Sequence, residues 1–363
     1  MRVRCAMDLQ LRRAGGRLYV HAPCGLRSYN ARLLHDEHLL SLLTNLRDWT
    51  PRSDAAAWIA GRTGVPAEAA HREVGRLLDL GVLVDDRSPA RRELFSGRDL
   101  WHRYGWADAF GYQSATDAIP RVDYSHQDGQ RQDVALMRAY TDREEQPPLH
   151  MPPVSDRVVP LPPPRTVTEV RIADVLDPPD RPTGGESPPR TLQDLVQVLW
   201  FGAGRTGTKK LPVTGEHLRK ASPSGGSRHP TEAYVLALGI DGLDPGMYHY
   251  SVKDHALERI DGEIDPEWVT KKVVGVSRWD MDSPSVVLVL TSRAELSMYR
   301  YRESHSYRVL HYDAGHLLET MALVASGMGW RSLRAFSMNE EEVSRALGND
   351  RLLNPALAFM ALA

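Results

Sequence analysis

A glycine-rich loop directly before an apolar strand constrains this chain more than any other stretch. The segment SPSGGSRHPTEAY runs from Ser222 to Tyr234, and its continuation predicts a strand over 232–240. Glycine has no Cβ, so Gly225 and Gly226 let the backbone approach a neighbouring group closely, and the flanking prolines restrict the loop to an extended path. Such a loop offers N–H and hydroxyl donors to a planar ligand with a polar edge. Taken alone, an ordinary polar loop explains it equally well, because it carries no fixed fingerprint.

Length and composition predict a globular protein with two domains and a sizeable core. The chain has 363 residues, of which 42% are hydrophobic and 25% are charged. Its net charge of -2 gives no electrostatic reason to expect a nucleic-acid partner. No apolar run approaches the ~20 residues of a membrane span, and the N-terminus lacks the apolar core of a signal peptide. Cys5 and Cys24 form no disulfide framework and have no zinc-ligand spacing, so we expect free thiols in a reducing cytoplasm and no metal site.

Residues 1–90 predict a small winged-helix-like module. Alternating residues over 2–22, with a turn at Gly15–Gly16, predict a hairpin. Apolar spacing then predicts three helices, within 31–46, 55–64 and 66–81. Ser53 or Asp54 would cap the second helix, and Pro66 stands where the third begins.

A hairpin with three helices is compatible with DNA binding through the last helix or with peptide binding by strand addition at the hairpin edge. Arg72 and Arg76 lie on the last helix, but Glu68, Glu73 and Asp79 dilute their charge. DNA binding is therefore disfavoured, because it needs several unopposed cations. A structural or dimerisation arm remains an alternative to peptide binding.

Two further segments precede the second domain. Residues 91–146 form an aromatic-rich connecting segment, and 147–190 form a proline-rich linker that contains thirteen of the 25 prolines. The second domain is predicted over 191–363. Within it, the basic stretch over 205–221 reads as a flexible loop.

The second domain mixes helices and strands without regular βαβ alternation, which predicts an α+β fold. Thr191 with Asp194 predicts a capped helix start, and Asn339 or Ser337 would cap a later helix. Helices are predicted over 192–202, 266–276, 309–328 and 340–348, and strands over 232–240, 285–291, 331–336 and 355–363, with a hairpin over 246–260.

Three blocks in this order carry a family resemblance: SPSGGSRHPTEAYVLAL, GLDPGMYHYSVKDHALERI and YRVLHYDAGHLLETMALVASGMGW. From about Arg165 to the end, the chain resembles the SagB-type branch of the nitroreductase-like flavoproteins, and is most similar to peptide maturation dehydrogenases. The resemblance implies a nitroreductase-like FMN domain with a mixed sheet flanked by helices. It also implies a homodimer with FMN at its interface. Residues 1–90 resemble the PqqD-like modules that bind the leader of a ribosomal precursor peptide, and other maturation enzymes are possible partners.

The same resemblance implies which residues bind the cofactor. The implied contacts are Ser222, Pro223, Ser224, Gly225 and Gly226 at the pyrimidine and ribityl groups, Gly329, Trp330 and Arg331 along the ring edge, and Arg165 and Thr166 at the phosphate. The phosphate motif of the family usually carries more arginines. Here Glu169 would repel a phosphate, while Arg171, Arg205, Lys209 and Lys210 are alternative cations without a fixed position.

The catalytic pair implied by the resemblance is Arg300 and Tyr301, where the family has lysine and tyrosine. A buried lysine can lose its proton and act as a base, whereas arginine stays charged. The base is therefore expected to be Tyr301, His305 or a substrate group.

The resemblance implies FMN-dependent oxidation of a ribosomally made precursor peptide. Conversion of azolines to azoles and another C–C or C–N dehydrogenation are comparably expected, because the lysine is absent. The alternative is a flavin-free homologue that binds the peptide or assembles the maturation complex. Three departures favour that alternative: the thinned phosphate motif, Arg300, and the stretch Leu353–Ala356, where the family often has a glutamate. The intact SPSGG loop favours the enzyme.

Overall fold

In the computed structural model, the chain forms two compact units, Met1–Arg121 and Val122–Ala363. The structure describes residues 1–6, 9–14, 17–22, 25–28, 36–87, 100–117, 122, 125–165, 170, 172–176, 190–275 and 284–363. Within these ranges, no helix is long and apolar enough to cross a membrane. The same ranges contain no group of three or more His, Cys, Asp or Glu side chains that could hold a metal ion.

The first unit contains two small antiparallel sheets and a set of helices. Its elements are β1 (Arg2–Cys5), β2 (Gln10–Ala14), β3 (Arg17–Ala22), β4 (Gly25–Ser28), α1 (Asp36–Asn45), β5 (Thr50–Pro51), α2 (Arg52–Thr63), α3 (Ala67–Asp79), β6 (Leu83–Asp85) and α4 (Ala107–Asp117). The sheet order is β5-β1-β6 in one sheet and β2-β3-β4 in the other. Val3, Leu42, Ile59 and Leu77 meet in one buried apolar cluster, so β1 and the helices share a core.

The predicted hairpin is confirmed for β2 and β3, whose register places Ala14 opposite Arg17. The predicted first strand, however, divides into β1 and β2, and β1 joins the other sheet. The predicted cap of α2 is wrong. This helix follows Pro51 and has no side-chain cap, because Ser53 and Asp54 already lie in its first turn. There the Ser53 hydroxyl donates to Asp54 (2.9 Å). Cys24 and the turn between β2 and β3 lie outside the described residues.

The second unit contains one large sheet, one hairpin and seven helices among its described residues. Its elements are α5 (Gln127–Thr141), β7 (Val158–Pro160), α6 (Ile172–Leu176), α7 (Leu192–Ala203), β8 (Gly207–Leu211), β9 (Gly215–Arg219), β10 (Thr231–Ala237), β11 (Gly246–Ser251), β12 (Ala256–Arg259), α8 (Pro266–Trp268), β13 (Val286–Ser292), α9 (Ala294–Arg300), α10 (Tyr307–Gly327), β14 (Ser332–Ala335), α11 (Glu340–Ala346) and β15 (Ala356–Leu362). Helix α8 continues as a π-helix over Val269–Val274. The predicted α+β class is confirmed.

The large sheet separates two apolar cores. Its order is β14-β15-β13-β10-β11-β12-β7. All six pairings are antiparallel, whereas a mixed sheet was expected. Strands β10 and β13 lie at the centre and are buried along their whole length. On one face, Val235 and Leu288 pack with Leu199 of α7 and Met321 of α10. This face positions the glycine-rich loop, which enters β10 beside both helices.

Local sequence signals explain several boundaries. Thr191 and Asp194 form the predicted capping box at the start of α7, and Asn339 caps α11 by accepting from the Glu342 N–H. The stretch predicted as a flexible loop instead forms the hairpin β8–β9, with Gly207 opposite Arg219. Most of β8 is exposed, so it lacks the apolar alternation that identifies a strand in a sequence.

A buried histidine between two carboxylates lies on the opposite face of the sheet. His249 Nδ1 lies 3.1 Å from Glu258, and its Nε2 lies 3.4 Å from Glu232. Arg293 lies 3.6 Å from the other Glu232 oxygen. Burial alone would lower the pKa of His249, but the hydrogen bonds with both carboxylates raise it to about 9. The histidine is therefore a buried cation that joins β10, β11 and β12.

Replacing His249 with leucine should destabilise the second unit, because two buried carboxylates would lose their shared cation. We expect His249→Leu to lower the free energy of unfolding by about 3–5 kcal/mol, measured by urea denaturation at pH 7. His316→Leu, at an exposed position on α10, is the control. In the wild type, this stabilisation is complete below pH 6.5 and is lost as the pH rises through 9. Equal urea midpoints for His249→Leu and the wild type would contradict the assignment.

Candidate functional site

The glycine-rich loop is held in place by the protein itself. The Ser222 hydroxyl donates to the Gly202 carbonyl near the end of α7 (2.8 Å). The Ser224 hydroxyl donates to one oxygen of Asp313 (2.6 Å), and the Gly225 N–H donates to the other (2.9 Å). The loop is therefore fixed on α7 and α10 without a ligand.

Asp313 is the acceptor that sets the shape of this loop. Burial raises its pKa, and the hydrogen bonds from Ser224 and Gly225 oppose that shift. Hydrogen bonds to an ionised carboxylate are shorter and stronger than neutral ones. The His229 N–H also donates to the Ser224 hydroxyl (2.8 Å), so one side chain links both ends of the turn.

The two glycines are required by close packing. A Cβ on Gly225 would lie 2.3 Å from Cγ1 of Val309, and a Cβ on Gly226 would lie 1.9 Å from the Tyr301 hydroxyl. Gly226 also has a φ of +57°, where side chains are disfavoured. The loop backbone consequently lies directly against α10 and Tyr301, and Gly226 itself is exposed.

The structure brings the predicted pair Arg300 and Tyr301 next to this loop. The Arg300 guanidinium lies 4.9 Å from the centre of the Tyr301 ring and forms a 2.5 Å ion pair with Asp133 of α5. Both charged side chains are largely buried. A guanidinium stays protonated in proteins, so Arg300 can stabilise negative charge but cannot accept a proton.

A cavity of about 240 Å³ opens beside the loop and this pair. Its wall includes Asp133, Gly226, Arg228, Arg300 and Tyr301. Arg228 donates to the Leu296 carbonyl (3.0 Å), which fixes it behind the loop. The cavity therefore has two guanidinium groups and one phenol hydroxyl beside an exposed glycine backbone.

Gly329, Trp330 and Arg331 follow the opposite end of α10. Asp313 and Gly327 are 14 residues apart on this helix, which corresponds to about 21 Å. Trp330 is buried in the core, and its Nε1 has no hydrogen-bond partner among the described residues. The structure therefore does not bring this trio together with the glycine-rich loop inside one chain.

The remaining predicted residues are dispersed. Arg165 is exposed and its backbone lies beside Gln197 of α7. Pro223 is exposed in the loop. His305 lies in a single helical turn between α9 and α10 and does not line the cavity. Thr166 lies outside the described residues.

Sequence reasoning missed several residues of this site. Asp313 belongs to the HYDAGH motif that carried the resemblance, and an acidic residue at an otherwise apolar helix position was the available signal. Arg190 stacks on the Trp330 ring at 4.7 Å and donates to the Gly329 carbonyl (3.0 Å). Nothing in the local sequence identified Asp133 or His217, which both line the cavity, since their positions there depend on tertiary contacts.

Three observations indicate that these residues could bind a flavin. An exposed glycine backbone beside a cavity permits close approach of a planar ring. Trp330 has a buried donor without a partner among the described residues. Arg190 and the exposed Arg331 supply cations for a phosphate at the far end of α10. The hydroxyls of Ser222 and Ser224 already have acceptors, so contacts from this loop would come chiefly from its backbone.

The packing of Gly225 against Val309 can be tested with a double-mutant cycle. Gly225→Ala should destabilise the second unit by about 1–3 kcal/mol, because the added methyl collides with Val309. In a Val309→Ala background, the same substitution should cost much less. Urea denaturation of the four proteins measures both costs, and equal costs in the two backgrounds would refute the contact.

Comparison with known proteins gives the family context. Residues 187–362 match the nitroreductase family. The trifolitoxin-processing protein TfxB of Rhizobium leguminosarum bv. trifolii is 36% identical over 170 residues, which are 46% of this chain and 46% of that protein. The chain thus spans about half the length of that relative. The trifolitoxin operon protein TfxC of the same organism is 24% identical over 327 residues, which are 85% of this chain and 86% of that protein.

Solved structures resemble the chain only distantly. A crystal structure described as a nitroreductase from Anabaena variabilis has a TM-score of 0.46 and 23% identity, covering 63% of this chain and 46% of that one. The match to the family and the arrangement of sheet and helices agree with the fold expected from the three sequence blocks. The second unit therefore has a nitroreductase-like fold, and residues 187–362 match the nitroreductase family.

Proposed function

We propose that this protein binds FMN and oxidises a ribosomally made precursor peptide. The proposal rests chiefly on the loop over Ser224–Gly226, which Asp313 fixes beside the cavity lined by Tyr301. It lies within the segment that matches the nitroreductase family, and the relative TfxB is a trifolitoxin-processing protein. The reaction is the oxidation of an azoline to an azole, or another C–C or C–N dehydrogenation.

The residues that would hold FMN divide into two groups. The backbone over Ser224–Gly226 would contact the ring, and Trp330 with Arg190 and Arg331 would hold the ring edge and the phosphate. Bound FMN would supply the acceptor for the hydride, which carries both electrons that leave the peptide. Arg300, neutralised in part by Asp133, would stabilise negative charge that develops on the substrate.

The separation of these two groups supports a homodimer. They lie at opposite ends of α10, about 21 Å apart along the helix. A flavin that touches both would lie where two copies of the chain meet, with the loop of one copy facing the carboxyl end of α10 of the other. Closed two-fold symmetry would then create two such sites per dimer.

We also propose that residues 1–90 bind the leader of the precursor peptide. The sheet β2-β3-β4 ends in edge strands to which an extended peptide could add by main-chain hydrogen bonds. Other maturation enzymes would act on the same peptide, in the cytoplasm. The buried free thiol of Cys5 is compatible with that reducing compartment.

A second candidate function is a flavin-free partner that binds the peptide. It is favoured by the internal hydrogen bonds of Ser222 and Ser224, which occupy donors that a flavin would otherwise use. The two candidates differ in one observable property, because only the first requires a bound flavin.

The purified wild-type chain should show flavin absorbance and release about one FMN per chain on denaturation. Gly226→Ala should reduce FMN occupancy at least tenfold, because the added methyl displaces Tyr301 and the loop. Gly239→Ala is the matched control, since its Cβ meets no atom within 4 Å. With a synthetic peptide that carries one azoline, the FMN-loaded chain should remove two hydrogens, as measured by mass spectrometry. A wild-type chain that stays colourless with excess FMN would favour the flavin-free partner.

A further inference from the structure

The cavity beside Tyr301 has a polar pair that the proposed function leaves without a role. The turn between β8 and β9 contributes Thr214 to the wall, and β9 contributes His217. The Thr214 hydroxyl lies 2.7 Å from Nε2 of His217. Thr214 is half-buried and His217 is 3% exposed, so the threonine is the more accessible member of the pair.

The surroundings of His217 keep its imidazole neutral. Burial lowers its pKa below the ordinary 6.5, and the positive charge of Arg228 lowers it further. A hydrogen bond with the Ser227 backbone opposes this shift. A ring that donates to that backbone keeps the lone pair of its other nitrogen for the Thr214 hydroxyl.

We propose that this cavity receives the peptide residue that is oxidised, and that Thr214 and His217 together accept its proton. The proposal rests on the proposed function, which it deepens by naming the substrate pocket and the base. The Thr214 oxygen takes the substrate proton while its own proton moves to Nε2 of His217.

The hydrogens and electrons of this step balance. One C–H bond of the substrate breaks and leaves its hydrogen with the electron pair on a flavin-class acceptor. A second C–H or N–H bond breaks and leaves its proton on the Thr214–His217 pair. A double bond forms between the two substrate atoms, so the substrate loses two electrons and two hydrogens.

The other groups that face the cavity are less suited to accept a proton. Arg228 and Arg300 remain protonated, and Asp133 is paired with Arg300 at 2.5 Å. Tyr301 offers a phenol hydroxyl, which is a hydrogen-bond donor in its ordinary form. A neutral imidazole is the remaining acceptor whose ordinary pKa lies close to physiological pH.

The chemistry of the wall also defines the substrate class. One side is apolar, with Val134, Met137 and Leu211, and the other carries the two guanidinium groups. The volume of about 240 Å³ suits one side chain or a five-membered ring with its peptide bonds, rather than a longer segment. The cavity therefore fits a neutral, compact residue that develops negative charge as its proton leaves.

The binding part of the proposal can be tested without flavin. Val134→Trp, which fills the cavity from α5, should weaken binding of a synthetic azole-containing product peptide at least tenfold. Leu136→Trp is the matched control, because Leu136 is exposed on the same helix outside the cavity wall. Isothermal titration of the full chain measures both affinities. Equal affinities for Val134→Trp and Leu136→Trp would overturn the pocket assignment.

The proton-acceptor part has a spectroscopic and a kinetic test. An NMR titration of the full chain should give His217 a pKa below 6.5, and Thr214→Val should change it. In the FMN-loaded chain, His217→Gln and Thr214→Val should each slow oxidation of the azoline peptide by about 10²–10⁴-fold. FMN occupancy should stay within about twofold of the wild type, and added imidazole should partly restore a His217→Gly variant.

The outcomes separate this proposal from the proposed function. If the wild type holds FMN and oxidises the peptide while His217→Gln retains its rate, the assignment of the base is wrong and the proposed function stands. If the wild type holds no FMN and oxidises no azoline peptide, the proposed function fails and the base assignment fails with it. Peptide binding that Val134→Trp abolishes would then still support a peptide pocket.

Discussion

The carboxylate of Asp313 is the interaction on which the site depends. It accepts hydrogen bonds from Ser224 and Gly225, and it lies on a helix that also packs against the central sheet. The loop is therefore fixed to the rigid core. Gly226 is thereby held against Tyr301 with a positive φ. Without this anchor, a loop that contains two adjacent glycines would have large conformational freedom. Catalytic groups need such positioning, because small displacements of reacting atoms reduce rates strongly.

The distribution of charge around the cavity assigns different roles to its neighbours. Arg300 and Asp133 form an ion pair and neutralise each other in part. The guanidinium stays protonated and cannot accept a proton, and the Asp133 carboxylate is already engaged by that guanidinium. His217 lies behind Thr214 and is kept neutral by burial and by nearby cations. Exchange of the family's lysine for arginine is therefore consistent with chemistry in which the base lies on a different element. The hairpin β8–β9 would carry that base.

Much of the fold of the second unit could be predicted from the sequence, because its elements have strong local signals. The capping residues of α7 and the long apolar stripe of α10 are examples. The site could be predicted only in part. Asp313 is 88 residues from Gly225, and Asp133 is 167 residues from Arg300, so no local pattern connects these partners. The hairpin β8–β9 was missed because much of it is exposed, and His217 was hidden within its basic sequence.

The central claim is that one FMN is held by the loop of one copy and the far end of α10 of another. The most direct test combines Gly226→Val with Arg331→Glu, two variants expected to bind no FMN alone. When they are co-expressed with different tags, random pairing makes half of the dimers mixed, and each mixed dimer has one intact site. The account predicts that total FMN occupancy recovers to about one quarter of the wild-type value, all of it in doubly tagged dimers. Doubly tagged dimers without FMN would contradict the account.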